Sequence, residues 1–310
     1  MITDLPTAPP ACAAISRRLR EPLRGTAAVT RGWLLVEHRG AWGDGGLDRA
    51  GAGPGVAIEA RCEAAGVRVV LVREPGRSRE QGPFRVQLAH SGRAGEWLEE
   101  LRVTGLDELA GLDPAVTLSP VPPGLGRRVA RPRFLVCTHG RKDACCAVFG
   151  RPVARALAAG GRVWESTHLG GDRFAPAMVC LPHGVYYGHV DPADAGALAR
   201  SFDDGLLSLR HLRGRSCDLP EQQVAEHAVR DARGLTGIDD VTPLAVRPGP
   251  GSGDGDGVIV PVRHPGGTDT VRVRPAPSAE RLTSCTAGEW GRPDPRAVTI
   301  VPALAGGAAR

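Results

Sequence analysis

What most constrains this chain is a stretch of ten residues, CTHGRKDACC, at positions 137–146. A strand-like run, FLVC (134–137), leads into it, and a helix-like run, RPVARALAAGG (151–161), follows. Thiols set between a strand end and a helix are fixed by backbone that a sheet holds rigidly, so the stretch calls for an α/β unit around it. In the helix, Pro152 is expected in the first turn and Gly160 just past the end, the usual asymmetry of helix termini.

The residues downstream supply the rest of that unit. RVWESTH (162–168) reads as a second strand, and AMVCLP with GVYYGHV as a strand pair separated by Pro182 to Gly184. DPADAGALARSFDDG (191–205) supplies a closing helix, with Asp191 placed to cap it. The order strand, helix, strand, strand, strand, helix is the thioredoxin-like arrangement.

Upstream, WLLVE (33–37) is a strand, VAIEARCEAAG (56–66) a helix ending on Gly66, and VRVVLVRE and FRVQLAH two further strands. LDELAGL (106–112) is a short helix candidate, and the Pro-, Gly- and Arg-rich LSPVPPGLGRRVARP closes the section. This first section repeats the general order of the second without visible sequence self-similarity. Beyond the central unit, PEQQVAEHAVRDARG is a helix, GPGSGDGDG (249–257) a flexible connector, and VIVPVRH and TVRVRP flank PGGTD as a hairpin. The chain therefore divides into an N-terminal α/β section (1–125), a thioredoxin-like unit (126–207) and a C-terminal helix and β-hairpin section (208–310).

Charge and cysteine usage narrow the function classes. The net charge of +5 is modest, and the densest basic segment, GRRVARPR (126–133), has no aromatic residue on which a base could stack. No nucleic-acid role follows; the segment reads as a solvated linker or a docking patch for an acidic partner. There is no run of eighteen apolar residues and no basic head followed by an apolar core at the N-terminus, so a cytoplasmic protein without a membrane span is expected. Eight cysteines in 310 residues do not make a disulfide scaffold, and clustered ones point to metal or redox chemistry. Cys12, Cys62, Cys217 and Cys285 stand alone in sequence and read as isolated thiols.

Three motifs carry a resemblance: CTHGRKDACCAVFGRPVA, VWESTHLGGDRFAP and LPHGVYYGHV. With them the chain resembles the sucrase/ferredoxin-like family, whose members are similar to thioredoxin-like [2Fe-2S] ferredoxins. Weaker echoes extend over REPLRGTAAVTRGWLLVEHRGAWG, RGRSCDLPEQQVAEHAVR and SCTAGEW. The resemblance implies that Cys137 and Cys146 hold one iron of a [2Fe-2S] cluster, with His168 on the other. Eukaryotic members carry HxGGH, whereas HLGGD here puts Asp172 in the last position. Asp172 is the first choice for the fourth ligand and Cys145 the second, with Cys180, His139 and His183 as further candidates. Gly170 and Gly171, lacking side chains, would let backbone approach the cluster. The function implied is electron transfer with an unidentified redox partner protein, a redox carrier rather than an enzyme. No carboxylate pair suggests glycosidase chemistry. The alternatives are a cluster-free thiol-disulfide oxidoreductase, which lacks a C-x-x-C pair, and a structural zinc protein, which lacks paired C-x2-C knuckles.

Overall fold

A computed structural model describes residues 11–43, 47, 54–76, 82–249 and 257–301. In chain order the first elements are α1 (Cys12–Arg18), β1 (Gly32–Glu37), α2 (Pro54–Ala64), β2 (Val67–Arg73), β3 (Phe84–His90), β4 (Trp97–Val103) and β5 (Arg127–Arg128). The central unit supplies β6 (Arg133–Cys137), α3 (Ala144–Leu157), β7 (Val163–Ser166), β8 (Met178–Leu181), β9 (Val185–Tyr187), α4 (Pro192–Asp203) and β10 (Leu212–Arg215). Then come α5 (Pro220–Arg233), β11 (Thr242–Pro243), β12 (Arg247–Pro248), β13 (Val258–His264), β14 (Gly267–Pro275), β15 (Arg281–Ser284), β16 (Glu289–Gly291) and β17 (Arg296–Val301).

Strands β1 to β10 form one ten-stranded sheet in the order β10-β9-β8-β6-β7-β2-β1-β3-β4-β5. Within it, β6 and β7 are parallel, β8 runs antiparallel to β6, and β9 antiparallel to β8. With α3 between β6 and β7 and α4 after β9, this is the thioredoxin-like arrangement expected of the central unit. The N-terminal section repeats it: β1 and β2 are parallel with α2 between them, β3 is antiparallel to β1, and β4 to β3. The two sets meet edge to edge where β2 pairs antiparallel with β7, Val72 opposite Ser166 and Arg73 opposite Glu165. Reversed strand orders on either side of an antiparallel junction are what a local two-fold relation produces. A backbone bond repeats too: His38 N–H donates to Val72 O at 2.8 Å, as Thr138 N–H donates to Ser166 O at 3.1 Å. The repeat stops at the closing helix, because short 3-10 turns over Leu106–Leu109 and Pro114–Leu118 follow β4.

Apolar side chains bind these layers together. Helices α3 and α4 cover one face of the central strands through Phe134, Val153, Leu157, Leu198 and Phe202. A second cluster spans the junction, with Trp33, Leu35 and Val70 of the first unit packed with Leu135, Trp164 and Tyr186 of the second. Helix α5 covers the separate sheet of β11, β13, β14 and β17, with β12 also paired to β13. It is tied to the first unit by Arg93, whose guanidinium lies 2.6 Å from both Asp218 and Glu226. The hairpin β15–β16 stands outside both sheets and joins α1 against the start of α3.

Several local expectations change. Helix α3 begins at Ala144, capped by the Asp143 side chain accepting from Cys145 N–H, so Pro152 lies inside the helix and not in its first turn. The left-handed residue that ends this segment is Gly161, after a 3-10 turn over Ala158–Gly160. LDELAGL forms only a 3-10 turn. Asp191 takes the N-cap position of α4 without a side-chain cap bond and instead faces Arg17 at 3.4 Å. Strand β4 carries the residues WLEELRV, whose Glu, Leu and Arg favour helix; the sheet overrides that preference. Glu99 there accepts from the backbone N–H groups of Gly124, Leu125 and Gly126, and Glu100 from Gln87. Most of the glycine-rich connector, residues 250–256, lies outside the described residues.

Candidate metal centre

The central unit brings sulfur and imidazole together at the ends of two neighbouring strands. Cys137 is the last residue of β6 and pairs with Ser166, the last of β7, so His168 follows two residues beyond. Cys146 enters from the first turn of α3. Ligand atoms of Cys137, Cys146 and His168 all lie within 4.8 Å of one another. Asp172 joins them, its Oδ1 3.0 Å from His168 Nδ1 and 3.5 Å from Cys146 Sγ. Both thiols are 1 % exposed, and Asp172 is buried.

Negative charge gathers on Cys137 and Asp172 around the His168 imidazole. Cys137 is held far below the ordinary thiol value by its bond with Cys146, then by His168, against the cost of burial. Cys146 is raised by the same pairing and by burial, so the two sulfurs share one proton. Burial pulls the His168 imidazole toward neutrality, but Asp172 and Cys137 outweigh it and push it up to about 9. Asp172 stays ionised, burial opposing and His168 favouring the charge. His168 Nδ1 is nevertheless buried without an aligned hydrogen bond. Two sulfurs and an imidazole this close together could hold a metal.

The loop that carries His168 is fixed from both units. Arg68, on β2 of the first unit, donates to the His168 carbonyl at 2.9 Å, and Leu71 N–H donates to Thr167 Oγ1 at 3.0 Å. Gly170 and Gly171 both have positive φ, +94° and +78°. A side chain on Gly171 would meet the Arg213 guanidinium at 2.6 Å and Phe174 at 2.8 Å. Arg213 is fully buried beneath this loop and donates to Gly170 O at 2.9 Å. Gly171 is thus required by packing against the protein itself.

Other candidates fall elsewhere. Cys145, the runner-up ligand, points to a different group containing Cys12, Asp143 and Cys285. Cys180 is buried in the apolar core with Tyr187 and Phe202. His139 Nε2 bonds with Gly43 O at 2.7 Å, and His183 Nε2 lies 2.9 Å from Glu96. Tyr186, Tyr187 and Trp164 are core residues. The segment 126–133 runs into the first residue of β6, at the strand end opposite Cys137, and Arg127 and Arg133 pair with Glu100. Among the described residues no helix is long and apolar enough to cross a membrane.

Residues 84–214, less than half of the chain, match the sucrase/ferredoxin-like family model. No curated protein matches the chain. Among solved structures, it is similar to the thioredoxin-like [2Fe-2S] ferredoxin from Aquifex aeolicus at 19% identity, covering 27% of this chain and 91% of that one, with a TM-score of 0.25. A cysteine-to-serine variant of the same ferredoxin matches at 19% identity and TM-score 0.25, covering 27% of this chain and 99% of that one.

Proposed function

Taking residues 84–214 as a sucrase/ferredoxin-like segment, we propose that this protein is an electron carrier whose central unit holds a [2Fe-2S] cluster through Cys137, Cys146, His168 and Asp172. The observation that carries the reading is the convergence of two strand ends and one helix start, with three ligand atoms within 4.8 Å of one another. A cluster bound there would supply one-electron chemistry. The chain's own residues do the rest. Cys137 and Cys146 offer sulfur from rigid backbone, Arg68 and Leu71 hold the imidazole loop, and the surrounding apolar cluster excludes water. Mixed ligation sets the potential above that of an all-cysteine cluster, because imidazole is neutral where thiolate is anionic.

Arg141 and Lys142 are exposed on the turn between the two cysteines, and a redox partner protein docks on that side in this reading. We also propose that the unit boundaries near 126 and 208 are functional ones, the flanking sections serving to cover the cluster. Thiol-disulfide exchange is disfavoured by the burial of Cys137 and Cys146, 1 % exposed each, because a disulfide substrate has no access.

Anaerobically purified and reconstituted protein should contain iron and acid-labile sulfide and absorb in the visible range. Cys137→Ser should abolish all three. A colourless protein without iron or sulfide after reconstitution would reject the proposal.

A further inference from the structure

Outside the centre described above lies a second convergence of thiols. Cys12 opens α1, Cys145 is in the first turn of α3, and Cys285 follows β15. These residues come from three distant parts of the chain, 133 and 140 positions apart. Cys145 Sγ nevertheless lies 3.5 Å from Cys12 Sγ and 3.4 Å from Cys285 Sγ, and Cys12 N–H donates to Cys285 Sγ at 2.9 Å. Cys12 and Cys145 are buried and Cys285 is partly exposed.

We propose that Cys12, Cys145 and Cys285 form a second, three-sulfur site for a thiophilic d10 cation, zinc(II), separate from the cluster. Bond lengths of ~2.3 Å in a tetrahedral zinc site put neighbouring sulfurs ~3.8 Å apart, close to the spacing found here. Three of the four grouped donors are soft sulfurs, the fourth being the Asp143 carboxylate, and the partly exposed Cys285 leaves solvent a way to the site. On binding, the three thiols release their protons to solvent and remain as thiolates on the metal.

Asp143 is the positioning residue of this site. Its Oδ1 accepts from Cys145 N–H at 2.8 Å, and its Oδ2 accepts from Ser284 Oγ at 2.9 Å, Cys285 N–H at 2.6 Å and Thr286 N–H at 3.3 Å. One carboxylate therefore fixes the backbone of two of the three cysteines. Cys145 and Cys146 are successive residues directed to different groups, so the start of α3 is shared between the two sites. Zinc would pin α1 and the β15–β16 hairpin onto the helix turn that delivers Cys146. The cluster would then sit under a cover closed by metal instead of by apolar area alone.

The test uses the full-length chain equilibrated with zinc(II) and then desalted. Metal analysis should find about one zinc per chain in the wild type and in a Cys137→Ser/Cys146→Ser variant, which cannot hold the cluster. Cys285→Ser and Cys12→Ser should lose that zinc and keep the iron of the wild type. Zinc should also slow alkylation of Cys12, Cys145 and Cys285 by iodoacetamide, read by peptide mass spectrometry, a measurement that needs no variant to fold. Zinc lost from the double variant, zinc retained in Cys285→Ser, or alkylation at equal rates with and without zinc would each overturn the proposal. Iron content is read in the same samples, so failure of the cluster reading is seen independently.

Discussion

The two halves of the ten-stranded sheet share a strand order and differ in what they put at the strand end. In the second unit the last residue of β6 is Cys137, facing Cys146 and His168. In the first unit the last residue of β1 is Glu37, whose carboxylate accepts from Arg39 Nε at 3.0 Å and from Arg85 Nε at 3.1 Å. Burial works against that charge, but Arg85 and Arg39 outweigh it and hold the Glu37 carboxyl down to about 2. The same fold position thus carries an ion lock in one unit and a soft donor set in the other. Topology presents the position; the side chain decides whether it stabilises or binds.

Substitutions can break or sharpen this contrast. The largest expected effect is total: Cys137→Ser should remove all cluster iron, while Glu37→Gln should leave iron content at the wild-type level, both read by metal analysis. Glu37→Gln should instead destabilise the fold by about 3 kcal/mol in denaturant melts, since two guanidinium groups lose a buried partner. Gly171→Ala should cost about 2 kcal/mol, because φ is +78° and the new methyl meets Arg213. Arg68→Ala removes one bond across the unit junction and should cost about 1 kcal/mol. It should also lower iron occupancy, because the His168 loop loses its anchor in the first unit.

The smallest effect is one of pH. Glu37 titrates near 4.5 unfolded and near 2 folded, so the folded state binds its proton less readily. Its contribution to stability is complete above 4.5 and is lost as pH falls toward 2. The stability difference between wild type and Glu37→Gln should therefore shrink through that window and stay constant above it.

Much of this was legible in the residues. Strand ends and the HLGGD turn pointed to residues that the fold brings together, because a short apolar run fixes its own strand and the cysteine that ends it. The start of α3 was misplaced because Pro152 imitates a first-turn proline, whereas the cap is Asp143, eight residues before the run that reads as helical. The structural repeat showed in the sequence only as a general order of elements, because it lies in hydrogen bonding and strand order, which different apolar residues satisfy equally well. The second thiol group left no spacing signal. Cys12 and Cys285 approach Cys145 only through tertiary packing, and each stands alone in its own segment. A weak hint existed in SCTAGEW, whose Ser284 and Cys285 reach Asp143.

The most direct test of the central claim is pulsed electron paramagnetic resonance on reduced protein carrying 15N-labelled histidine. The account predicts a [2Fe-2S] signal with strong coupling to one histidine nitrogen, lost in His168→Cys while the cluster remains. A cluster signal without nitrogen coupling, or a coupling unchanged in His168→Cys, would contradict it.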